Sequence, residues 1–234
     1  MNLVPKPRNN NEGDKPNLPH LPFLPIDLRG YGWAIAKSLA AARAEILVGV
    51  PVDALDMFNS NLVGKKFDKS RKVLDNLFKI STFQISGCTL MEFKKVYGLD
   101  ACYEVPEDVP EEVKEKEAYR KNFNYTVKGV FQSLQLEFGS LDILVHSAFK
   151  FLEVSKSLVA MSRSTYIDAI CKMSYPLVAL AKCASPIMNP DGSIISVTYN
   201  GSQRIIPTCG LGISSSLAAS KNDVRMLAYD VGWV

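Results

Sequence analysis

Apolar residues recur along most of the chain in two alternating patterns. Short apolar runs predict buried β-strands over residues 45–50, 91–99, 141–147 and 193–199. Apolar residues at helical spacing predict helices over 33–44, 127–138, 161–187 and 211–232, and Gly139 stands where the second of these should end. Residues 189–192 have the composition of a turn. Helices that alternate with strands indicate an α/β fold built on a doubly wound parallel sheet.

The first 25 residues have a different composition, rich in proline and asparagine. Proline disfavours both helices and paired strands, so we expect a disordered tail over residues 1–25 and a single domain over residues 26–234. The tail contains one arginine, two acidic residues and no serine, which is unlike an organelle transit peptide. We therefore expect no targeting signal within this sequence.

Composition and charge exclude several classes of function. The chain is 47% hydrophobic and 22% charged, with a net charge of +3 and no basic stripe, so nothing favours nucleic acid as a partner. No apolar stretch is long enough to span a membrane. The cysteines are scattered and only two histidines are present, so we expect no metal site. The cysteines are Cys88, Cys102, Cys171, Cys183 and Cys209.

Several segments, in order and at matching spacing, resemble the plastid-type enoyl-acyl carrier protein reductases. They are PIDLRG (25–30), YGWAIAKSLA (31–40), AEILVG (44–49), LDILVHS (141–147), PIMNPDGSIISVTY (186–199) and RIIP (204–207). This family belongs to the short-chain dehydrogenases. The resemblance implies a Rossmann-like fold, a tetramer, and NADH-dependent reduction of trans-2-enoyl chains on acyl carrier protein during type II fatty acid biosynthesis. It implies the chloroplast stroma, although the cytoplasm stays open because no transit peptide is recognisable.

The chain departs from the family pattern at the start of the fold. The family has its first strand and a glycine-rich loop between the positions of Gly30 and Tyr31, and of the loop only Tyr31 and Gly32 remain here as cofactor-binding positions. Pro22 and Pro25 interrupt the preceding apolar residues, and neither can donate to a ladder. We therefore expect an incomplete sheet whose central position closes up, stays empty or takes a proline-rich segment that suits it badly.

The second departure concerns the family's active-site tyrosine and lysine. Their positions hold Cys209 and Leu217 here, while Tyr199 matches a second active-site tyrosine. Lys221 lies four residues beyond Leu217, about 6 Å further along a helix, and is expected to be a solvated surface residue. The match also ends at Val234, before the family's last strands and substrate-covering helices.

The remaining cofactor positions match the family only in part. Asp100 and Ala101 match residues that contact adenine, Ser147 matches a position beside them, and Thr198 precedes the retained tyrosine. A turn residue at Asp100 and a strand-end hydroxyl at Ser147 are equally good explanations. In the loop after residue 147, Phe149 and Phe151 replace small residues and would crowd a cofactor.

These observations leave three hypotheses. The first is a catalytically impaired enoyl reductase with weak or absent NADH binding. The second is a non-catalytic subunit that pairs with a full-length reductase through the helices predicted over 161–187 and 211–232. The third is a decayed copy that does not fold stably.

Overall fold

A computed structural model describes residues 21–25, 30–71, 90–147, 158–206 and 212–232. Within them, five strands form one sheet in the order β3-β2-β1-β4-β5, and every neighbouring pair is parallel. The strands are β1 (Pro22–Pro25), β2 (Ile46–Val50), β3 (Phe93–Gly98), β4 (Leu141–His146) and β5 (Met188–Ser196). The predicted doubly wound parallel sheet is confirmed, with strand ends that differ from the predicted ones by a few residues.

Helices connect the strands on both faces of the sheet. They are α1 (Tyr31–Ala41), α2 (Leu55–Val63), α3 (Asp68–Arg71), α4 (Glu111–Lys114), α5 (Glu117–Lys121), α6 (Val127–Phe138), α7 (Arg163–Met173), α8 (Tyr175–Ala184) and α9 (Ile213–Val231). The helix predicted over 161–187 is divided between α7 and α8 at Ser174, because Pro176 has no amide hydrogen to continue the ladder of α7. Gly139 ends α6 with a φ of 81°, as predicted.

The predicted turn at residues 189–192 lies inside β5. Met188 pairs with Leu141 and Ser193 pairs with Ile143, so β5 advances five residues while β4 advances two. The extra residues bulge out of the ladder. The carboxylate of Asp142 fixes this bulge, since its Oδ1 accepts a hydrogen bond from Asn189 Nδ2 at 2.7 Å.

The expectation that the first strand of the sheet is missing is wrong. β1 lies between β2 and β4, all four of its residues are buried, and the predicted tail boundary at residue 25 is therefore too late. Residues 1–20, the rest of the predicted tail, lie outside the described part of the chain. The actual outcome is the third one considered, in which the proline-rich segment itself forms the strand.

The backbone directions in β1 explain how two prolines fit a central strand. The carbonyl of Leu21 accepts from Asp142 N, so Leu21 faces β4, and alternation turns Pro22 toward β2 and Pro25 toward β4. The ladder with β2 begins only at Phe23, and the ladder with β4 ends at Phe23. Each proline thus lies beyond the ladder on the side where its missing amide hydrogen would be needed. Phe23 and Leu24 supply the donors that remain.

β1 also joins the two layers of the core. Phe23 packs on one face with the buried side of α6 and with α8, and its ring meets those of Tyr97 and Phe131 edge-on at 6.1 and 5.3 Å between centroids. Leu24 packs on the opposite face among residues of α1 and α2, including Trp33 and Phe58. The alternation of side chains along a strand accounts for this division.

We predict that Phe23→Ala destabilises the protein by about 3–5 kcal/mol, because it removes a fully buried ring at the sheet centre. Phe123→Ala is the matched control, since Phe123 is 94% exposed. Urea denaturation followed by circular dichroism measures both free energies of unfolding. Equal stability of the two variants would contradict a central β1.

A buried histidine connects the last two strands of the sheet. His146 of β4 has no exposed surface, and its Nδ1 lies 3.0 Å from Ser196 Oγ on β5. Burial lowers the pKa of His146 from 6.5 to about 4. The unfolded chain therefore binds more protons than the folded protein between these two values, and stability is lost as the pH falls.

We predict that the free energy of unfolding decreases between pH 6.5 and pH 4, and that His146 contributes up to about 3 kcal/mol of this loss. Denaturation at pH 7 and pH 5 should show a smaller pH effect for His146→Gln than for the parent chain. His20→Gln is the control, because His20 is the chain's other histidine. An unchanged pH dependence in His146→Gln would show that His146 titrates normally.

Candidate functional site

The carboxyl ends of the strands collect most of the predicted site residues at one edge of the sheet. Because all pairs are parallel, the residues that follow β1, β3, β4 and β5 share this edge. They include Tyr31, Gly32, Asp100, Ala101, Ser147, Thr198 and Tyr199. In open α/β sheets, ligands bind in the crevice at the carboxyl ends of the strands. The fold therefore places these residues where a nucleotide site would lie.

The amino end of α1 lies at the carboxyl edge of the sheet. Gly30 precedes the helix with a φ of 138°, a conformation that favours glycine, and no side chain caps the first turn. Unpaired amides at a helix amino terminus attract anions. Gly32 is buried and Tyr31 is 75% exposed. A strand that ends at Pro25 and a helix that begins at Tyr31 are thus present, while residues 26–29 between them lie outside the described part.

Asp100 is already engaged by the protein itself. Its Oδ2 accepts a 2.6 Å hydrogen bond from the phenol of Tyr119, and its Oδ1 accepts from Cys102 N at 3.1 Å. Burial and the nearby carboxylate raise the pKa of Tyr119, so the phenol stays protonated as a donor. The ring of Tyr119 stands edge-on to that of Tyr125. These contacts support the turn-residue explanation of Asp100, and nothing in the sequence pattern indicated Tyr119 as its partner.

The loop that carries Asp100 and Ala101 is held against α8 through Glu104. Lys182 Nζ lies 2.6 Å from Glu104 Oε1, and the phenol of Tyr175 donates to Oε2 at 2.9 Å. The hydrogen bond from Lys182 is the main cause that lowers the pKa of Glu104, while burial and then Glu104 raise the pKa of Tyr175 to about 12. Tyr175 and Lys182 are two helical turns apart, on one face of α8. Sequence analysis missed this cluster, whose members are 71 and 78 residues apart from Glu104.

The ends of β4 and β5 contribute hydroxyl groups. Ser147 is buried, and its hydroxyl has no hydrogen-bond partner among the described residues. Thr198 is exposed and Tyr199 is half-exposed, just before a turn of 3-10 helix at Asn200–Ser202 against which α9 packs. The Tyr199 phenol is accessible to a ligand at this edge.

Leu217 stands where the resemblance expects a lysine, and the residues around it are apolar as well. Leu217 is 2% exposed and packs with Met173 and Ile213 between α7 and α9. Lys221, one turn further along α9, is partly buried and forms no ion pair within the described residues. Leu217 offers neither charge nor hydrogen bond to a ribose.

Three predicted features of the site fall outside the described residues. They are Cys209, Phe149 and Phe151. The residues that are described fit the adenine and phosphate end of a dinucleotide only in part, because the carboxylate of Asp100 is already bonded to Tyr119 and Cys102 and Leu217 carries no charge.

Two further classes of site were sought among the described residues. No group of three or more histidine, cysteine, aspartate or glutamate side chains there could hold a metal ion. None of the described helices is both long and apolar enough to cross a membrane.

Comparison with known proteins places the chain among relatives. A family model described as Enoyl-(Acyl carrier protein) reductase matches residues 122–233. The chloroplastic enoyl-[acyl-carrier-protein] reductase [NADH] of Arabidopsis thaliana is 49% identical over 89% of this chain and 54% of its own length. The first chloroplastic isoform of Oryza sativa is 48% identical over 89% of this chain and 56% of its own. The chain thus spans about half the length of these curated relatives.

A solved structure agrees with the sequence relatives. The crystal structure of Plasmodium berghei enoyl-acyl-carrier-protein reductase, determined with triclosan, has a TM-score of 0.81 and 35% identity. The match covers 91% of this chain and 70% of that one. Fold and relatives agree, and the chain belongs to the enoyl-acyl-carrier-protein reductase family.

Proposed function

We propose that this chain is an NADH-dependent enoyl-acyl carrier protein reductase whose catalysis is strongly impaired. The observation that carries the proposal is the burial of Leu217 in an apolar cluster, at the position where the family resemblance expects a lysine. A leucine in that setting cannot bind the nicotinamide ribose or lower the pKa of a neighbouring phenol. The reaction would lose both functions together.

Proton delivery to the product is the step whose rate should fall most. Reduction of a trans-2-enoyl chain leaves an enolate that must be protonated and whose oxygen must be stabilised. At the position of the family's tyrosine stands Cys209, whose thiol is more acidic than a phenol by about 1.5 pKa units but shorter by a ring. General acid catalysis contributes about 10²–10⁴-fold to a rate. Tyr199 remains as a phenol at the edge, and Leu217 supplies no charge to assist it.

The affinity for NADH should also be reduced, for a reason that does not involve Cys209 or Leu217. The amino end of α1 can still attract a phosphate, and Ser147 offers a hydroxyl. Asp100, however, is bound to Tyr119 and Cys102, so an adenine amine would compete with two existing hydrogen bonds. NADH binding is therefore weak or absent.

The names of the relatives support a proposal for the setting of the reaction. The Arabidopsis and rice relatives are named chloroplastic, and we place this chain in the plastid stroma with enoyl chains on acyl carrier protein as substrate and a tetramer as assembly. A cytoplasmic location is the alternative.

We predict that NADH does not bind with a low micromolar dissociation constant and that crotonyl-type substrates are reduced at least about 10²-fold more slowly than by a full-length relative. Fluorescence titration measures the first quantity and loss of NADH absorbance the second. The Arabidopsis reductase, assayed in parallel, is the positive control.

Restoring the family's tyrosine and lysine tests whether their loss alone causes the impaired catalysis. Cys209→Tyr combined with Leu217→Lys should not produce clear turnover, because both act on a cofactor that must first be bound. Leu217→Met, which keeps the apolar contact, controls for disturbed packing. Normal turnover in the parent chain would refute the proposal, and turnover only in the double variant would confine the defect to Cys209 and Leu217.

A second candidate function is a non-catalytic subunit that pairs with a full-length reductase. The outer surfaces of α7 and α9 favour it, because apolar side chains there are 43–71% exposed: Ile167, Met226 and Tyr229. Helix surfaces of this kind are commonly covered by a partner.

Co-expression distinguishes this candidate from an isolated reductase or an unstable copy. We expect the tagged chain to retain untagged Arabidopsis reductase on purification, and Met226→Lys with Tyr229→Lys to reduce the retained amount. Leu136→Lys, at an exposed site on α6, should not. Failure to retain the reductase, with the tagged chain itself folded and soluble, would exclude the pairing.

A further inference from the structure

The connection between β3 and α6 covers residues 99–126 and packs as a small unit at the carboxyl edge of the sheet. It contains α4 and α5, and it has an apolar cluster distinct from the two clusters that flank the sheet. The buried members of that cluster are Val52, Val109, Tyr119 and Tyr125. Asp100 lies where the connection leaves β3, and its backbone amide donates to the carbonyl of Tyr125 at 2.8 Å. The two ends of the connection are thus held together.

Both carboxylate oxygens of Asp100 have a donor inside this connection. Oδ1 accepts from the amide of Cys102 at 3.1 Å, which is the ordinary bond of an aspartate in a turn. Oδ2 accepts from the phenol of Tyr119 at 2.6 Å, the length of a strong bond between a hydroxyl and a carboxylate. Asp100 is partly exposed, whereas Tyr119 is 7% exposed. A ligand that arrives from solvent therefore meets a carboxylate whose second oxygen already has a buried donor.

The phenol of Tyr119 keeps its proton and so remains a donor. Burial, the hydrogen bond to Asp100 and then the negative charges of Asp100 and Asp53 raise the pKa of Tyr119 above its usual value. The hydroxyl is therefore protonated through neutral and mildly alkaline pH. A change of pH in this range leaves the contact in place, so the contact opens only when the ring moves or another donor takes the oxygen.

A second set of contacts keeps the connection in this position. Glu104 lies four residues after Asp100, and its Oε1 is 2.6 Å from Lys182 Nζ while its Oε2 accepts from the phenol of Tyr175 at 2.9 Å. Both partners belong to α8, which packs against β4. Because the connection is fixed to α8 on one side and to its own cluster on the other, Tyr119 is held next to Asp100 from two sides.

We propose that Tyr119 is an intramolecular competitor of adenine, because its phenol occupies the oxygen of Asp100 to which the exocyclic amine of an adenine base would donate. The inference rests on the proposed function, in which Asp100 is the acceptor for an adenine amine. The amine is a hydrogen-bond donor, as the phenol is, and both need the same acceptor. An adenine that binds here must share Oδ2 with Tyr119 or displace it. Tyr119 thus controls how strongly this edge distinguishes adenine from bases without a donor at that position.

The opposite role, in which Tyr119 orients Asp100 for adenine, is disfavoured by the second carboxylate oxygen. In that role the phenol would hold Oδ2 and the amine would donate to Oδ1, but Oδ1 already accepts from the amide of Cys102. The bond from Cys102 belongs to the backbone turn and stays with it, whereas the bond from Tyr119 depends on one side-chain hydroxyl. Loss of the phenol therefore frees one acceptor and leaves the turn intact.

Titration of the full chain with adenosine monophosphate (AMP) and inosine monophosphate (IMP) tests the proposal, since inosine carries a carbonyl oxygen where adenosine carries the amine. Ligand-observed NMR at millimolar concentrations measures both dissociation constants. We expect the parent chain to bind the two nucleotides with dissociation constants within about twofold of each other. Tyr119→Phe, which keeps the ring in its cluster, should bind AMP at least about fivefold more tightly and IMP no more tightly. Tyr125→Phe is the matched control, because it removes a phenol from the neighbouring ring without touching the bond to Asp100, and should leave both constants unchanged.

The gain in AMP affinity should depend on Asp100. In an Asp100→Asn background, Tyr119→Phe should produce no gain, because the side-chain amide is a weaker acceptor and can itself donate. Circular dichroism verifies that each variant is folded. The comparison of AMP with IMP in the parent chain needs no variant, so it decides the matter even where a substitution unfolds the chain.

Four results would overturn the proposal. They are an AMP affinity of Tyr119→Phe at or below that of the parent chain, an equal gain for IMP, a parent chain that already prefers AMP by more than about fivefold, and no binding of AMP to either chain. None of these measurements involves turnover, Cys209 or Leu217. An active reductase would therefore refute the impaired catalysis and leave the comparison of AMP with IMP to be judged by itself.

Discussion

The hydrogen bonding of β1 is the constraint on which the rest of the structure depends. A central strand must satisfy neighbours on both sides, and unpaired buried backbone groups are costly. β1 does this with two usable amides, because each proline lies outside the ladder that would need its donor. The side chains of Phe23 and Leu24 then close the two core layers on opposite faces. Without β1, the sheet would have two inner edges instead of a centre.

The position of β1 also decides what remains of the functional edge. A strand at the centre directs the chain into α1 at the carboxyl end of the sheet, so a helix amino terminus lies where a dinucleotide phosphate could bind. Leu217, by contrast, is enclosed by Met173 and Ile213, so its position presents an apolar side chain and no charge. The described structure thus offers backbone amides for an anion at the amino end of α1 and only apolar contacts at Leu217.

Sequence patterns were sufficient for elements whose signal is local. The helix α6 follows from its apolar spacing and from Gly139, and β4 follows from an apolar run typical of a central parallel strand. The failure at β1 arose because proline was judged by residue type alone, whereas its effect depends on which neighbour the missing amide faces. That direction is a property of register, which only the neighbouring strands determine.

The candidate site, like the fold, could be predicted only in part from the sequence. The edge residues could be found by resemblance because the order of strands places their carboxyl ends together. The partners of Asp100 and Glu104 could not, because Tyr119, Tyr175 and Lys182 reach them through tertiary packing. Neither their spacing nor their residue types carry a signal. Whether a retained residue is available to a ligand thus depended on contacts that the sequence does not reveal.

The pairing of β1 with β4 affects the order in which the protein can fold. Leu21 N donates to a carboxylate oxygen of Asp142, 121 residues later in the chain, at 2.7 Å. During synthesis the first strand must wait until β4 has emerged before its second side can pair. Closing so long a loop precedes the gain from its contacts, and such non-local pairing is slow and exposes apolar segments to aggregation. The nascent chain therefore remains vulnerable until β4 has emerged, and chaperones that shield apolar segments should raise its yield.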